Sequence, residues 1–311
     1  MDGKPARICT IESPCKINLH LKICDKRPDG FHNLESIFTT LALADSIRIE
    51  RTPQEGDYYL STRWEHIPPF DIPVEKNLIT RAVSLFREKA GFNGGLRIHL
   101  DKRIPIGAGL GGGSSNAASV LVALNALTAA SLDHSELTEM ALLLGSDVPF
   151  FLDGGAAYVS GRGEKIKSVK CPGSYWVLLV KPDIFSSTAE AFRLFAEARA
   201  AGAENYRANV AKMGISEEAL INSLKKDPVT WPFFNDFLDI FLDSEYSGVY
   251  RAILEELRKA GASFSGLSGA GSCCFGIFYD KTSAKKAKES LKGNYTRLTF
   301  FLAQKTDPVL E

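Results

Sequence analysis

Residues 105–116 read PIGAGLGGGSSN, and an apolar helical pattern follows them directly over residues 117–130. Five of these twelve residues are glycine, and a backbone without Cβ atoms can turn tightly and bring its N–H groups close to a ligand. A helix that begins after such a loop adds unpaired N–H groups and a partial positive charge. The stretch therefore predicts an anion cradle, most commonly one for phosphate. Ser114, Ser115 and Asn116 suit the N-cap of the following helix.

A flexible linker and a P-loop are two other interpretations of this stretch. Linkers lack sharply patterned flanks, whereas Leu96, Ile98 and Leu100 alternate just before the loop. A P-loop requires a lysine followed by serine or threonine after the last glycine. The sequence has no such pair there, so we expect a phosphate cradle of another kind.

A dinucleotide-binding fold is the stronger competitor. Gly107, Gly109 and Gly112 satisfy the G-x-G-x-x-G pattern, and Asp133 follows after about 20 residues, where such folds place a ribose-binding acid. Two features argue against it. The polar segment 101–105 precedes the loop in place of a strand that enters directly. Asp133 also fits a helix N-cap with its capping partner three residues later.

Composition limits the classes of function. The chain has 311 residues, enough for one large domain or two ordinary ones. Its 37 basic and 37 acidic side chains balance, which disfavours a general binder of nucleic acid or membrane surfaces. Residues 1–4 are polar, and no apolar run approaches the roughly 20 residues of a membrane span. The six cysteines lack metal-ligand spacing, so we expect reduced thiols and a cytoplasmic protein.

Residues 7–23 alternate as a β-strand with one apolar and one polar face. Lys16 and Asn18 lie on the polar face near the start of the strand, roughly 7 Å apart, close enough to serve one ligand. The alternative is a face exposed to solvent. That alternative is our expectation for His20 and Lys22.

The segment Pro28-Asp29-Gly30 specifies a tight turn, and Phe31 and His32 follow it at once. An aromatic ring beside an imidazole could stack on a planar ligand and hydrogen-bond to it. The local pattern alone favours another arrangement, with Phe31 in the core and His32 on the surface.

Asp147 lies in a constrained turn, between a helix stop at Gly145 and the apolar segment 148–151. The usual role of such an aspartate is an Asx-turn acceptor. Phosphoryl transfer to a hydroxyl, however, requires a carboxylate that orients or deprotonates the acceptor. Asp147 is the best-placed acid for that task.

Periodicity predicts the remaining elements. In the first half they are strands over 34–51 and 95–100, helices over 77–90 and 134–144, a hairpin within the connection 52–73 and a hairpin-like unit over 154–163. In the second half they are strands over 175–180, 262–264, 274–279 and 296–302, helices over 188–200, 249–260 and 281–292, and a helical region over 201–247 interrupted at 231–234.

The pattern changes near residue 165, which predicts domains over 1–164 and 165–311. The order of elements in the second half suits an α+β domain with an antiparallel sheet.

Three motifs occur in a fixed order: SPCKIN at 13–18, the glycine loop, and LSGAGS at 267–272. Together they resemble the GHMP kinase superfamily, small-molecule kinases with a phosphate loop that is not a Walker motif. PDGFH at 28–32 and LGSDVP at 144–149 narrow the resemblance to a branch that acts on a cytidine-diphosphate-linked sugar alcohol in the non-mevalonate route to isoprenoid precursors. The resemblance implies a two-domain α+β fold, with an N-terminal domain like ribosomal protein S5 domain 2 and a ferredoxin-like C-terminal domain. It also implies ATP and Mg²⁺.

The resemblance assigns roles by position. Asp147 matches the catalytic base, and Lys16 matches its charge partner. Asn77 and Lys102 match positions that contact the adenosine end of ATP. The residues that match the cradle of the ATP phosphates are Pro105, Ile106, Gly107, Ala108, Gly109, Leu110, Gly111, Gly112, Gly113, Ser114 and Ser115.

The acceptor side follows in the same way. Phe31 and His32 match the pair that stacks on cytosine and hydrogen-bonds to it, and Asn18 lies beside the acceptor. Phe192 matches a second stacking face. Phe31 replaces a tyrosine of many relatives, and Ala108 replaces a glycine, so we expect a negative φ at Ala108.

Two other functions use the same features. An NAD-dependent oxidoreductase would use the same glycines, and a silent sensor on a kinase scaffold would bind ligands without turnover. For a kinase we expect a small-molecule substrate, no nucleic acid or membrane partner, and a monomer or weak homodimer.

Overall fold

The computed structural model describes residues 7–201, 214–294 and 298–306. These residues pack into two compact units. Unit 1 comprises the described residues of Met1–Cys15, Ala44–Ile106 and Gly111–Gly154, and unit 2 those of Lys16–Leu43, Gly107–Leu110 and Gly155–Glu311. Each unit is built from three separate segments, whereas each predicted domain is one continuous stretch of chain. These units do not test the predicted division at 1–164 and 165–311, which stays a prediction.

The described residues form a mixture of strands and helices. The strands are β1 (Ile8–Lys26), β2 (His32–Thr52), β3 (Tyr58–Trp64), β4 (Gly95–Lys102), β5 (Ala156–Gly161), β6 (Lys165–Ser168), β7 (Trp176–Pro182), β8 (Phe264–Leu267), β9 (Cys274–Phe278) and β10 (Leu298–Gln304). The helices are α1 (Leu78–Ala90), α2 (Gly112–Thr128), α3 (His134–Leu144), α4 (Phe150–Asp153), α5 (Thr188–Ala201), α6 (Glu217–Ser223), α7 (Asp236–Leu242), α8 (Ser247–Lys259) and α9 (Lys281–Asn294). Short 3₁₀ turns occur at Val74–Lys76 and Pro228–Thr230.

The sheet of unit 1 is mixed. The C-terminal part of β2 pairs antiparallel with β4, so that Ile49 lies opposite Ile98. β3 pairs parallel with β4, and α1 lies between these two strands in the chain. The hairpin expected within residues 52–73 is therefore wrong, because parallel neighbours need a crossover connection such as this helix. Helices α1, α2 and α3 pack against one another, and Phe86 and Leu121 are fully buried among them.

Helix α2 begins at Gly112, five residues before the helical pattern that the sequence predicts over 117–130. Gly111 is its N-cap, in a left-handed conformation with φ 70°, and no side chain caps it. The expected caps Ser114, Ser115 and Asn116 lie inside the helix instead. The prediction failed because Ser115 and Asn116 have buried partners elsewhere in unit 1, so they are not available as caps.

Two other helix starts agree with the sequence. Asp133 caps α3 in a full capping box with Glu136, as expected. Its carboxylate is therefore engaged at the helix start, which removes the main argument for a dinucleotide fold. Asn77 caps α1 by accepting from the N–H of Ile79 at 2.9 Å.

Unit 2 contains a four-stranded antiparallel sheet in the order β10-β7-β9-β8. This arrangement confirms the antiparallel sheet predicted for the second half. The N-terminal part of β2 pairs with β5, and β5 pairs with β6 in a hairpin. This hairpin extends to Ser168, beyond the hairpin-like unit predicted over 154–163. Helices α8 and α9 pack on the four-stranded sheet.

The region 201–247 is less helical than expected. Its described part contains only the short helices α6 and α7 and one 3₁₀ turn, and residues 202–213 lie outside the described residues. Segment 231–235 is extended because it lies along β1, where the Leu21 N–H donates to the Phe234 carbonyl at 2.8 Å. No helix in the described ranges is both long enough and apolar enough to span a bilayer.

Tyr250 of α8 has a buried hydroxyl with no hydrogen-bond partner among the described residues. Its ring is fully buried and stacks on Phe241, with centroids 5.3 Å apart. A buried, unsatisfied hydroxyl is destabilising. We therefore expect Tyr250→Phe to raise the free energy of unfolding by about 1 kcal/mol, measured by chemical denaturation.

Tyr175→Phe is the matched control for this substitution. The Tyr175 hydroxyl is exposed and donates to the Pro172 carbonyl at 3.1 Å, so its removal should leave stability unchanged or slightly lower. An equal decrease in the free energy of unfolding in the two variants would show that the Tyr250 hydroxyl has a partner.

Asp236 gives unit 2 a pH-dependent stability. Its side chain is fully buried, Oδ2 accepts from the Ile23 N–H at 2.6 Å, and Oδ1 has no partner among the described residues. Burial raises the pKa of this carboxyl to about 6. The folded state therefore binds more protons than the unfolded state between pH 4 and 6, and stability falls as pH rises through that range.

The measurement is the free energy of unfolding at pH 5 and pH 7. The free energy of unfolding should decrease from pH 5 to pH 7, and Asp236→Asn should make this decrease about 1 kcal/mol smaller. The reason is that the amide does not ionise. Asp25→Asn, at a side chain that is 93% exposed, should leave the pH dependence unchanged. The assignment fails if both variants retain the full loss.

Candidate active site

The first half of the glycine loop is fixed within unit 2 through its carbonyl oxygens. The carbonyl of Gly109 accepts from Ser268 Oγ at 2.8 Å, and that of Leu110 accepts from the Lys16 N–H at 2.9 Å. The carbonyls of residues 107 and 108 accept from backbone N–H groups of residues 272 and 273, at 3.3 and 3.2 Å. Because C=O and the next N–H point in opposite directions across a trans peptide, the N–H groups that follow these carbonyls point away from this support.

Glycine is required at Gly109. Its φ is 72°, and a Cβ there would overlap the carbonyl oxygen of Ser268. The motif LSGAGS at 267–272 therefore supplies the surface against which the loop is packed. The φ of Ala108 is negative, as expected.

The second half of the loop is the start of α2, in unit 1. The first helical hydrogen bond runs from the Ser115 N–H to the Gly111 carbonyl at 2.9 Å. Since no side chain caps Gly111, the preceding N–H groups keep their capacity to bind an anion. A helix start without a side-chain cap leaves more N–H groups for a phosphate than the predicted cap would have left.

Lys102 lies beneath this helix start. Its ammonium pairs with the Asp45 carboxylate, and the side chains of Lys102 and Asp45 are 6% and 0% exposed. Burial lowers the pKa of Lys102, and the negative charge of Asp45 opposes this effect. A Cβ on Gly112 would lie 2.9 Å from Lys102 Nζ and 2.9 Å from a methyl carbon of Ile104, so a side chain there would displace one of them. The proposed contact of Lys102 with adenosine stays a prediction.

Asn77 lies near the same part of unit 1. Its neighbour Leu78 would contact a Cβ on Gly113 at 3.5 Å. The side chain of Asn77 is half-buried and caps α1. Its predicted contact with adenosine is not tested by this geometry and stays a prediction.

Lys16 and Asn18 lie together on β1, as predicted. Lys16 Nζ donates to Asn18 Oδ1 at 2.6 Å and lies 4.6 Å from the centre of the Phe38 ring. Asn18 Nδ2 donates to Ser36 Oγ at 3.0 Å. The two side chains are almost fully buried, so they form a fixed polar pair on a strand in place of a solvated face.

The expectation that His20 faces solvent is wrong. His20 is 1% exposed and its ring packs against Phe233 and Phe234. Burial lowers the pKa of His20 to about 3. His20 is buried because segment 231–235 packs against it, a contact between residues distant in sequence. Lys22 is half-buried and pairs with Glu35 at 3.0 Å.

Asp147 lies in the turn between α3 and α4 of unit 1, and its side chain is half-buried. The turn is closed by a hydrogen bond from the Val148 N–H to the Gly145 carbonyl at 3.2 Å. The predicted constrained turn is therefore present. The role of Asp147 as a base stays a prediction.

Phe31 is 51% exposed, so the expectation from local pattern that it lies in the core is wrong. His32 stacks on Phe192, with centroids 5.2 Å apart and planes inclined by 14°, and Phe192 meets the edge of Phe237 at 5.0 Å. The structure thus brings His32 and Phe192 together on one side of unit 2. Burial and the nearby cations lower the pKa of His32, so its imidazole is neutral at pH 7 and offers one donor and one acceptor.

Arg162 is a candidate that the sequence analysis did not identify. Its guanidinium lies 5.3 Å from the centre of the Phe31 ring. A guanidinium stacked on a ring keeps its in-plane N–H groups for anions or base edges. The available signal was a single basic residue between Gly161 and Gly163, which places it at the tip of the β5–β6 turn.

The chain matches two protein families. The family described as "GHMP kinases N terminal domain" matches residues 77–155, and "GHMP kinases C terminal" matches residues 244–297. The first match includes the glycine loop and Asp147, and the second includes the LSGAGS motif.

Curated relatives carry one enzyme name. The 4-diphosphocytidyl-2-C-methyl-D-erythritol kinase of Prochlorococcus marinus (strain AS9601) is 37% identical, over 89% of this chain and 88% of the relative. That of Neisseria gonorrhoeae (strain NCCP11945) is 35% identical, over 94% and 93%. A chloroplastic kinase of the same name from Oryza sativa subsp. japonica is 41% identical, over 68% of this chain. The match spans only 53% of that plant protein.

Solved structures agree in fold. A crystal structure of 4-(cytidine 5'-diphospho)-2C-methyl-D-erythritol kinase matches with a TM-score of 0.72 and 29% identity, covering 96% of this chain and 99% of the other. Mevalonate kinase of L. major matches with a TM-score of 0.73 at 15% identity, over 99% of each chain, which is evidence for the fold alone. These matches confirm the predicted α+β GHMP kinase fold. The chain belongs to the GHMP kinase superfamily and, within it, to the 4-diphosphocytidyl-2-C-methyl-D-erythritol kinase family.

Proposed function

We propose that this protein transfers the γ-phosphoryl group of ATP to a hydroxyl group of 4-diphosphocytidyl-2-C-methyl-D-erythritol, in the non-mevalonate route to isoprenoid precursors. The observation that carries the proposal is the glycine loop. Its carbonyls are bound to protein in unit 2, and the α2 start that continues it is not capped by a side chain in unit 1. Such a loop presents backbone N–H groups to a polyphosphate.

On the donor side, residues 105–115 hold the phosphates of ATP, and Asn77 and Lys102 contact its adenosine end. The buried ammonium of Lys102 lies next to the helix start. Its charge is balanced by the Asp45 carboxylate, so the positive potential at the phosphates comes mainly from the N-terminus of the helix.

Mg²⁺ fits this site as a companion of the triphosphate. Within residues 7–201, 214–294 and 298–306, no three His, Cys, Asp or Glu side chains form a group that could hold a metal ion. Mg²⁺ does not require such a group, because it commonly binds through substrate phosphates and retained waters. When bound, it neutralises charge on the β- and γ-phosphates.

In the chemical step, the oxygen of the acceptor hydroxyl attacks the γ-phosphorus of ATP, and ADP leaves. Asp147 accepts the proton of that hydroxyl. Lys16 stabilises the negative charge on the transferred group. The burial of its ammonium against Asn18 and Phe38 supports this role, because electrostatic interactions are stronger away from water.

The acceptor is recognised mainly by unit 2. The cytosine stacks on Phe31, the neutral His32 hydrogen-bonds to its edge, Phe192 supplies a second aromatic surface, and Asn18 lies beside the sugar alcohol. The guanidinium of Arg162, on the Phe31 ring, adds a positive charge suited to a diphosphate.

The balanced charge of the chain supports a small-molecule substrate over nucleic acid or membrane partners. We also propose a cytoplasmic protein that acts as a monomer or weak homodimer. The plant relative is named as chloroplastic, whereas the name of the bacterial relative gives no location.

Asp147→Asn tests the function. The unaltered protein should release ADP when ATP, Mg²⁺ and 4-diphosphocytidyl-2-C-methyl-D-erythritol are all present. The variant should lose roughly 10²–10⁴-fold in kcat, because the amide cannot accept the proton, and its thermal shift with ATP should stay the same. ADP release gives the first quantity and differential scanning fluorimetry the second.

Asp153→Asn is the control. This aspartate is exposed on α4, so its substitution should leave kcat unchanged. Ordinary turnover in Asp147→Asn would remove Asp147 from the mechanism. A thermal shift with NADH but not with ATP would favour an oxidoreductase, and binding of both substrates without ADP release would favour a silent sensor.

Phe31→Ala tests acceptor recognition. Loss of base–aromatic stacking should raise the KM for the acceptor by about tenfold, with the KM for ATP unchanged. Phe31→Tyr keeps the ring and should behave like the unaltered protein. Steady-state kinetics with each substrate varied in turn gives these values, and an unchanged acceptor KM in Phe31→Ala would place the cytosine elsewhere.

A further inference from the structure

We propose that Asp45 is a positioning residue for ATP, because it ties together the two ends of the glycine loop. The inference rests on the proposed function, since it assumes that the loop binds the phosphates of ATP. Asp45 lies within β2, about 60 residues before the loop in sequence. It did not emerge as a candidate from the sequence.

The carboxylate of Asp45 binds both ends of the loop at once. Oδ1 accepts from the backbone N–H groups of Arg103 and Ile104, at 2.7 and 2.8 Å. Oδ2 accepts from Asn116 Nδ2 at 2.9 Å and from the ammonium of Lys102. All four donors belong to unit 1, and the carboxylate is fully buried.

The positions of these donors give the contact its effect. Ile104 directly precedes Pro105, and Asn116 directly follows Ser115. Pro105 and Ser115 are the first and last residues that we assign to the phosphates of ATP. One carboxylate therefore fixes the distance between the chain entering the loop and the chain leaving it. A loop whose ends are fixed loses less conformational freedom when it orders around a ligand.

A second link runs from the same helix turn to β1. Asn116 Nδ2 also donates to Ser13 Oγ at 2.9 Å, and Ser13 Oγ donates to Ser115 Oγ at 2.8 Å. Ser13, Ser115 and Asn116 are at most 3% exposed. The helix turn that closes the loop is thus held by polar contacts of defined direction, which specify its position more narrowly than apolar packing does.

Stability alone is a weak reason for such a group. A buried ion pair often contributes no more than well-packed apolar side chains of the same volume. The location of the ion pair says more about its role, because Lys102 Nζ lies beside Gly112 at the helix start. Without Asp45, this ammonium would have no carboxylate to hold it there, and both the charge and the spacing of the phosphate site would change.

Asp45→Asn is the test. The amide oxygen can still accept from the N–H groups of residues 103 and 104, but the amide nitrogen then faces two donors, Lys102 and Asn116. We expect the KM for ATP to rise by about tenfold or more, with the KM for the acceptor within about twofold. The ATP-induced thermal shift should decrease in parallel.

Asp101→Asn is the matched control. Asp101 is the residue before Lys102 on β4 and pairs with Arg63 at 2.7 Å on the outer face. The same chemical change there should leave both KM values unchanged. A parallel rise of both KM values in Asp45→Asn, or an unchanged KM for ATP in a folded variant, overturns the proposal.

Asn116→Ala keeps the proposal testable if Asp45→Asn does not fold. It cuts only the helix-side link and leaves the carboxylate bound to Lys102 and the two backbone donors. The KM for ATP should again rise selectively, and an unchanged value overturns the proposal. Failure of the proposed function gives a different result, because the unaltered protein would then show no thermal shift with ATP or no turnover.

Discussion

The carbonyl oxygens of residues 107–110 all accept hydrogen bonds from protein donors within unit 2, and most other features of the donor site depend on this constraint. A peptide whose C=O is bound on one side must present its N–H on the other. The left-handed glycines and the packing of Gly109 against Ser268 follow from the same requirement. The motif at 267–272 is thus a support for the loop, although more than 150 residues separate the two in sequence.

Buried polar groups near the loop are arranged differently in the two units. In unit 2, Lys16, Asn18 and Ser36 form a short chain of hydrogen bonds that ends at the carbonyl of His20. In unit 1, Asp45 collects donors from three directions, including two backbone amides. Each group keeps its polar atoms bonded in the interior, which is the condition under which burial of charge is tolerated.

Local chemistry decided which predictions succeeded. The capping box at Asp133 and the β8–β9 hairpin depend on neighbours in sequence, so the sequence was sufficient for them. The start of α2 was mispredicted because Asp45 and Ser13, distant in sequence, bind the side chains expected to act as caps. His20 was misplaced for the same reason, since segment 231–235 buries it. Phe31 differs, because it directly follows a tight turn and stays exposed there. The residues assigned to ATP, the acceptor and catalysis rest on resemblance, and they stay predictions.

The His32–Phe192 stack has a consequence for the kinetics of recognition. Centroids 5.2 Å apart leave no space for a planar ring between them, because two van der Waals contacts require roughly 7 Å. A pyrimidine that inserted there would first have to separate the rings. Its association rate would then be set by how often the closed pair opens, so the rate would level off at high ligand concentration.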